Sequence, residues 1–275
     1  MKSLCLKSTN LNNLNYLLDC FENFDLDNVY FSCNKFKFYN NIIIHYLGND
    51  DELFLTKLSN MFSFLIIDIH EEIIIKNIIS YNYFYFDSFE TEKILKIALE
   101  QLSEDLNYIE QGRDLLIFNS SYTYLKENKH IYIDGFINFR LKDYINFLNK
   151  IVDTAVNTFI VEREYLEFIS LLKIYINSKT PSKETVHLVY NIDNPVLLDS
   201  RKNIIDINKK ISNTKYLSDI SFSNNDYILN TLLSILPSKI IIHLQNNYID
   251  EFINTLALIF ENKVEIKNTS VTISK

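Results

Sequence analysis

The chain has 275 residues, 47% of them hydrophobic, enough for one large or two small domains with a buried core, so a disordered chain is excluded. Its formal charge is -8, and with 10 Lys/Arg against 10 Asp/Glu from Pro181 onward, the rest of the chain, 17 against 25, carries all of the acidic excess. No domain-sized basic surface is on offer to a phosphate backbone, which disfavours a nucleic-acid-binding regulatory protein.

The opening Met1–Lys7 has no continuing apolar core, so an exported leader is not expected. Cys5, Cys20 and Cys33 are odd in number and contain no CxxC pair, which argues against a disulfide framework or a zinc site. Ser3–Lys7 reads as a strand. Leu11, Leu14, Leu17, Leu18 and Phe21 recur at three and four as one face of a helix. Two β-rich runs follow, Val29–Phe38 and Ile42–Tyr46, with a hairpin turn expected at Asn40–Asn41, and the unit is βαββ. Because the chain has only 3 Gly, turns needing positive φ are expected on Asn or Asp, at Asn40–Asn41, Asn224–Asn225 and Asn246–Asn247.

Asp50–Asp51–Glu52 supplies a cap and first-turn negative charge for a helix. Helices are expected over 50–67, 70–82, 88–102 and 105–127, with Asp87–Ser88 and Ser103–Glu104–Asp105 as caps. Ile73–Ile75 fits helix or strand equally. The most apolar region, Met61–Phe86, is interrupted by Asp68, His70, Glu71, Glu72 and Lys76 and falls short of the ~20 apolar residues of a membrane span.

Lys129–Ile133 is a short extended segment, and Asp134 is expected to cap the long helical region Gly135–Ile176. One straight helix of that length would run about 60 Å, against roughly 50 Å for a compact globule of this size. The apolar stripe also changes direction. Leu141, Ile145, Leu148, Val152, Ala155 and Phe159 share one face, whereas Tyr165, Phe168, Leu172 and Ile176 lie well over 90° away. Either the helix breaks near Ile160–Glu164, the favoured reading, or one helix buries different faces against two layers.

Thr180–Pro181–Ser182 marks the expected boundary between an N-terminal βαββ unit with a helical core, 1–180, and a small C-terminal α/β domain, 181–275. Beyond it come strands at 185–191, 196–198 and 204–207, helix 227–236, strand 239–244, helix 249–260 and strand 264–266. The order implies a mixed sheet and an α+β protein.

Gly48, Gly112 and Gly135 are too far apart for GxxxxGK[ST], GxGxxG or GxSxG, which excludes the common nucleotide loops and the ordinary α/β-hydrolase elbow. The five histidines are dispersed, and none forms HExxH. His187 and His243 lie in strand-like apolar runs, and only their convergence across neighbouring strands would make a metal or acid–base site. Glu162, Glu164 and Glu167 fit a solvated helical face, with Arg163 reaching Glu167 at i,i+4. Arg140 and Asp153 remain candidates, and snorkelling over Phe136, Phe139 and Tyr144 is the commoner use of such an arginine. The abundant Tyr and Phe are expected to be mostly core.

The blocks Asp134–Tyr144 (DGFINFRLKDY), Ile151–Val156 (IVDTAV) and Val161–Lys173 (VEREYLEFISLLK) resemble, in order and nearly in full, those of the YtxC-like family. The resemblance implies a sporulation protein of the cytoplasm of a spore-forming bacterium, with no assigned biochemical activity and no catalytic residue to transfer. The expectation is therefore a non-enzymatic cytoplasmic protein acting through protein–protein contact with an unknown partner and no cofactor. The alternative is an enzyme or small-ligand binder whose site combines Arg140, Asp153 or the acids of Glu162–Glu167, Glu162 and Glu164 among them, with the strand histidines.

Overall fold

The computed structural model describes residues 2–104 apart from 23 and 25, together with 112–191, 195–205, 223–245 and 248–268. The chain groups into two compact units, Met1–Val161 and Glu162–Lys275, each containing a four-stranded sheet. The α+β class expected from the sequence is observed.

In the first unit, strand β1 (Lys2–Ser8) alternates buried Leu4 and Leu6 with more exposed neighbours, as a strand with one face on a core must. Helix α1 (Leu11–Glu22) buries Leu14, Leu17 and Phe21 of the predicted stripe, while Leu18 is half-buried and Leu11 is exposed. Strands β2 (Val29–Lys35) and β3 (Asn40–Tyr46) pair antiparallel from Val29↔Tyr46 to Lys35↔Asn40. The βαββ order holds, but the hairpin turn is Phe36–Tyr39, closed by Phe36 N–H donating to the Tyr39 carbonyl at 3.0 Å and by stacking of the two rings. Asn40 and Asn41 are strand residues, and Asn41 is buried. The sheet is completed by β4 (His130–Tyr132), which runs parallel to β1, giving the order β2-β3-β1-β4.

Helix α2 (Asp51–Leu65) starts as predicted, with the Asp50 carboxylate accepting from Leu53 N–H at 2.9 Å. It passes through a π-helical turn, Ile66–His70, into α3 (Glu71–Asn82), so Ile73–Ile75 is helix. The wider turn rotates the buried stripe from Leu58, Phe62 and Ile66 to Glu71, Ile75 and Ile79. Helix α4 (Ser88–Glu104) begins with the expected Asp87 cap, where Glu90 N–H donates to Asp87 and Asp87 N–H to Glu90. Ser103 caps nothing among the described residues and instead donates back to the Leu99 carbonyl, and Asp105 lies outside them. Helix α5 is Arg113–Glu127.

Two expectations for the long helical region are corrected. Asp134 lies inside helix α6 (Ile133–Arg140) and accepts from Ser8 and Thr9, so it fastens the β1–α1 loop rather than capping its own helix. The chain breaks at Leu141, and α7 then runs unbroken from Lys142 to Asn177. No break occurs near Ile160–Glu164, yet the change of face read from the sequence is real. Leu148, Val152, Ala155 and Phe159 join one core, and Ile169 and Ile176, with Tyr165 and Leu172 partly buried, another, whereas Phe168, expected on the second face, is exposed.

Within the second unit, β5 (Thr185–Tyr190) pairs antiparallel with β6 (Val196–Leu198) and parallel with β7 (Lys239–Leu244), which pairs parallel with β8 (Val264–Lys267). The mixed sheet is as expected, although Ile204 contributes only an isolated bridge to Leu198. Helices α8 (Asn224–Ile235) and α9 (Glu251–Phe260) pack Ile228, Leu232, Ile253 and Leu256 with Val186, Leu188, Ile240 and Ile242 of one sheet face. Asn224–Asn225 opens α8 behind a Ser223/Asp226 capping box instead of making a turn, and Asn246–Asn247 lies outside the described residues. Positive φ falls on Asn28, Lys202, Leu236 and Glu261.

Glu71 is only 5% exposed and sits deep in the first core. Tyr144 of α7 donates to its carboxylate at 2.7 Å, and Arg113 of α5 approaches the same oxygen at 3.3 Å. Burial raises the Glu71 pKa. The folded state therefore holds this proton at a pH where the unfolded chain has released it, favouring folding at low pH and losing that contribution as pH rises through the folded value. Tyr144→Phe, which leaves the carboxylate a donor short, is expected to lower unfolding free energy by about 1–3 kcal/mol at neutral pH, measured as a shift in urea midpoint. The loss is expected to shrink as Glu71 becomes protonated. A shift that is the same at every pH would contradict the assignment.

Candidate functional site

Between α3 and α4 the chain carries Tyr81-Asn82-Tyr83-Phe84-Tyr85-Phe86-Asp87-Ser88-Phe89. Helix α3 ends at Asn82, where Tyr83 N–H still donates to the Ile79 carbonyl, and a tight turn closes through Phe86 N–H to the Tyr83 carbonyl. Three side chains fasten this corner. Phe86 is buried edge-on against Phe159, Asn82 donates to Asn149 at 3.0 Å, and Tyr83 donates to the Asp153 carboxylate at 2.7 Å. Partial burial and the Asp153 acceptor push the Tyr83 pKa up to about 12. The hydroxyl therefore keeps its proton at any physiological pH. With those anchors inside, Tyr81 (85% exposed), Phe84 (80%), Tyr85 and Phe89 are held out in water.

In the second unit the condition set by the sequence is met. His187 and His243 approach to 3.0 Å, Nδ1 to Nε2, with their rings nearly parallel. The cause is register. On parallel β5 and β7, His187 lies opposite Ile241 and Val189 opposite His243, so both imidazoles stand on the sheet face away from α8 and α9. Lys267 of β8 lies opposite His243 on the same face. Burial lowers both pKa values, for His187 with Lys202 and Lys267 adding to it, for His243 with its partner ring and the same two lysines. One ring nitrogen must donate and the other accept, so the pair takes one proton with its hydrogen bond intact and loses the bond on the second. Among the described residues no group of three or more His, Cys, Asp or Glu is placed to hold a metal ion. Lys202 is itself held at positive φ by a turn in which Asp199 accepts from Arg201 and Asn203 N–H.

The four residues singled out from sequence have separate surroundings. Arg140 lies over the Tyr124 ring at 5.7 Å, rather than over Phe136, Phe139 and Tyr144, because Phe136 and Tyr144 are buried while Phe139 points into solvent. Asp153 is the acceptor that fixes the aromatic corner. Glu162 and Glu164 are exposed on α7, and Arg163 meets Glu167 at 3.8 Å on the same helix. An exposed pair of that kind contributes only a few tenths of a kcal/mol. The aromatic corner escaped the sequence reading, which assigned aromatic residues to the core. Its signal was the run of five aromatics in six residues from Tyr81 to Phe86, too dense for one helical face to bury.

The histidine pair sets a pH dependence of known sign. A base whose folded pKa is depressed contributes stability above its unfolded value, and that contribution is lost as pH falls through the folded one. Both imidazoles are expected neutral at pH 7, with midpoints below the ordinary 6.5 in long-range proton–nitrogen NMR. His187→Ala is expected to cost about 0.5–1.5 kcal/mol at pH 7. A midpoint above 6.5 for either ring would refute the depression that burial imposes on it.

The profile of the YtxC-like family matches residues 56–265. The chain is also similar to the uncharacterized protein YtxC of Bacillus subtilis strain 168, with 26% identity over 200 residues, 69% of each chain. No solved structure matches. The match spans α2 to β8, taking in both the aromatic corner and the histidine pair, and on that extent the chain belongs to the YtxC-like family.

Proposed function

We propose that this YtxC-like protein is a non-enzymatic, cytoplasmic component of the sporulation programme of a spore-forming bacterium and acts through protein–protein contact. The observation that carries the contact reading is the aromatic corner. Four large side chains stand in water while Asn82, Tyr83 and Phe86 pin their backbone to α7. Exposed Tyr and Phe on a fixed backbone are what binding hot spots are made of, because little ordering entropy is lost when a partner covers them. Asp153 serves here as a positioning residue, and Arg140, Glu162 and Glu164 are exposed charges with no part in the contact. That no helix among the described residues is long and apolar enough to cross a membrane accords with the compartment.

A second reading, a small-ligand binder, is favoured by the meeting of His187 and His243. Unchanged imidazole resonances of both residues on addition of inorganic phosphate, and of zinc, would remove it.

For the leading reading, the full chain is used as affinity bait in cells taken through sporulation. A partner enriched during sporulation is expected with the native chain and with a Phe139→Ser/Arg140→Ser control. It is expected to be lost, about tenfold or more, with Tyr81→Ser/Phe84→Ser/Tyr85→Ser. Equal recovery with all three baits would overturn the role of the corner.

A further inference from the structure

Each of the two sheets has two edges, and three of the four edges are short. Strands β4 and β6 have three residues each, and β8 has four and carries Glu265 and Lys267. Short or charged edges are how sheets avoid pairing with other chains. Strand β2 departs from this. It has seven residues, pairs among the described residues only through its inner side with β3, and every residue after Val29 is exposed. Alternate N–H and C=O groups along its outer side face water, flanked by exposed Tyr30 and Phe31 and, at the turn, Phe36 and Phe38.

We propose that the outer edge of β2 pairs antiparallel with β2 of a second copy of this chain, joining two four-stranded sheets into one of eight strands. The occupant is identified by charge order along the edge. Asp27 precedes the strand, and Lys35 and Lys37 close it. Among the described residues neither Asp27 nor Lys35 forms an ion pair, and Lys37 only covers the Phe38 ring. A parallel neighbour would set like charges side by side. An antiparallel copy with the two-fold axis at Ser32 places Asp27 opposite Lys37 of the second copy and, by the symmetry, Lys37 opposite its Asp27, so that two opposite-charge pairs form. The same register sets Phe31 against Cys33 of the other copy and Tyr30 against Asn34. The partner thus needs the edge's own length, its aromatic faces and its reversed charge order, which a second copy has by construction. The dimer does not depend on the sporulation reading, and it uses a surface remote in sequence from the aromatic corner.

The test uses the purified full chain with Cys5→Ser/Cys20→Ser, leaving Cys33, an exposed thiol next to the axis, as the only cysteine. Light scattering is expected to show a concentration-dependent dimer, and a short bis-maleimide to join two chains through Cys33. Ser32→Lys, which sets two ammonium groups together on the axis, is expected to weaken the dimer about tenfold or more while circular dichroism stays that of the folded chain. Lys37→Glu is expected to weaken it by a smaller factor, and Asp27→Lys/Lys37→Glu to restore it. A monomer at all concentrations overturns the proposal. So does a dimer that gives no Cys33 cross-link, or one indifferent to both Ser32→Lys and the charge exchange. Since none of these substitutions falls in the aromatic corner, partner capture through that corner can succeed or fail independently of the result.

Discussion

A carboxylate almost withdrawn from water governs the first unit. Glu71 lies where the helical stripe demands an apolar residue, and its charge has to be met from within the core. Tyr144 comes from α7 and Arg113 from α5, while Arg113 also donates to the Leu102 carbonyl of α4. One acid therefore ties four helices. Such a cluster adds little net stability over an apolar equivalent, but a shifted helix register would strand a buried charge, and that penalty selects a single arrangement. The polar line continues from the neighbouring residue. His70 meets Asn13 at 2.8 Å, Asn13 donates to Ser8, and Ser8 donates to Asp134. Sheet, α1, α3 and α6 are thus held by side chains of one hydrogen-bonded series that begins beside Glu71. The π-helical turn belongs to the same constraint, since it rotates α3 so that Glu71 faces inward and Asp68 outward, where Tyr16 donates to it at 2.5 Å.

Most elements could be read from the sequence because their periods are plain. The leucines of α1, the Asp50 and Asp87 caps and the alternating β5–α8–β7–α9–β8 order needed no knowledge of partners. What misled was asparagine. In a chain nearly without glycine, Asn–Asn pairs look like turns, yet Asn41 is buried in β3 and Asn224 starts a helix, because pairing and capping outweigh a weak turn preference. Left-handed backbone fell on Asn28, the residue type expected, but among the described residues also on Lys202, Leu236 and Glu261, which intrinsic preference disfavours. Neighbouring residues in the chain impose those positions. Leu236, for example, ends α8 immediately before Pro237, where helix cannot continue. Helix α7 was legible as to faces and not as to continuity, since a stripe records which sides are buried and not whether the backbone bends between them.

Site legibility divides along the same line. His187 and His243 were visible as a condition, because two histidines on neighbouring strands either share a face or do not, and only register decides. Lys202 and Lys267, which shape their titration, gave no signal in the sequence, being ordinary lysines until a turn and a strand pairing brought them near. Asp153 was noticed as an acid of unknown use, and its partner Tyr83, 70 residues away, supplied the use.

The aromatic corner and the β2 edge both keep aromatic residues in water, and they share a construction. At the corner, Tyr83 and Phe86 are turned inward so that Tyr81, Phe84 and Tyr85 must stay out. At β2, Phe31 stacks on Phe21 of α1 and the Phe36–Tyr39 pair closes the turn, so the strand is fixed while its far side stays open. A floppy loop could fold its aromatics back onto the core and recover the hydrophobic free energy, about 1.5–3 kcal/mol for each large side chain. These segments are tied down in a way that forbids it. Exposure maintained by specific anchors, against that gradient, is the physical mark that separates a surface built to be covered from one that is merely apolar.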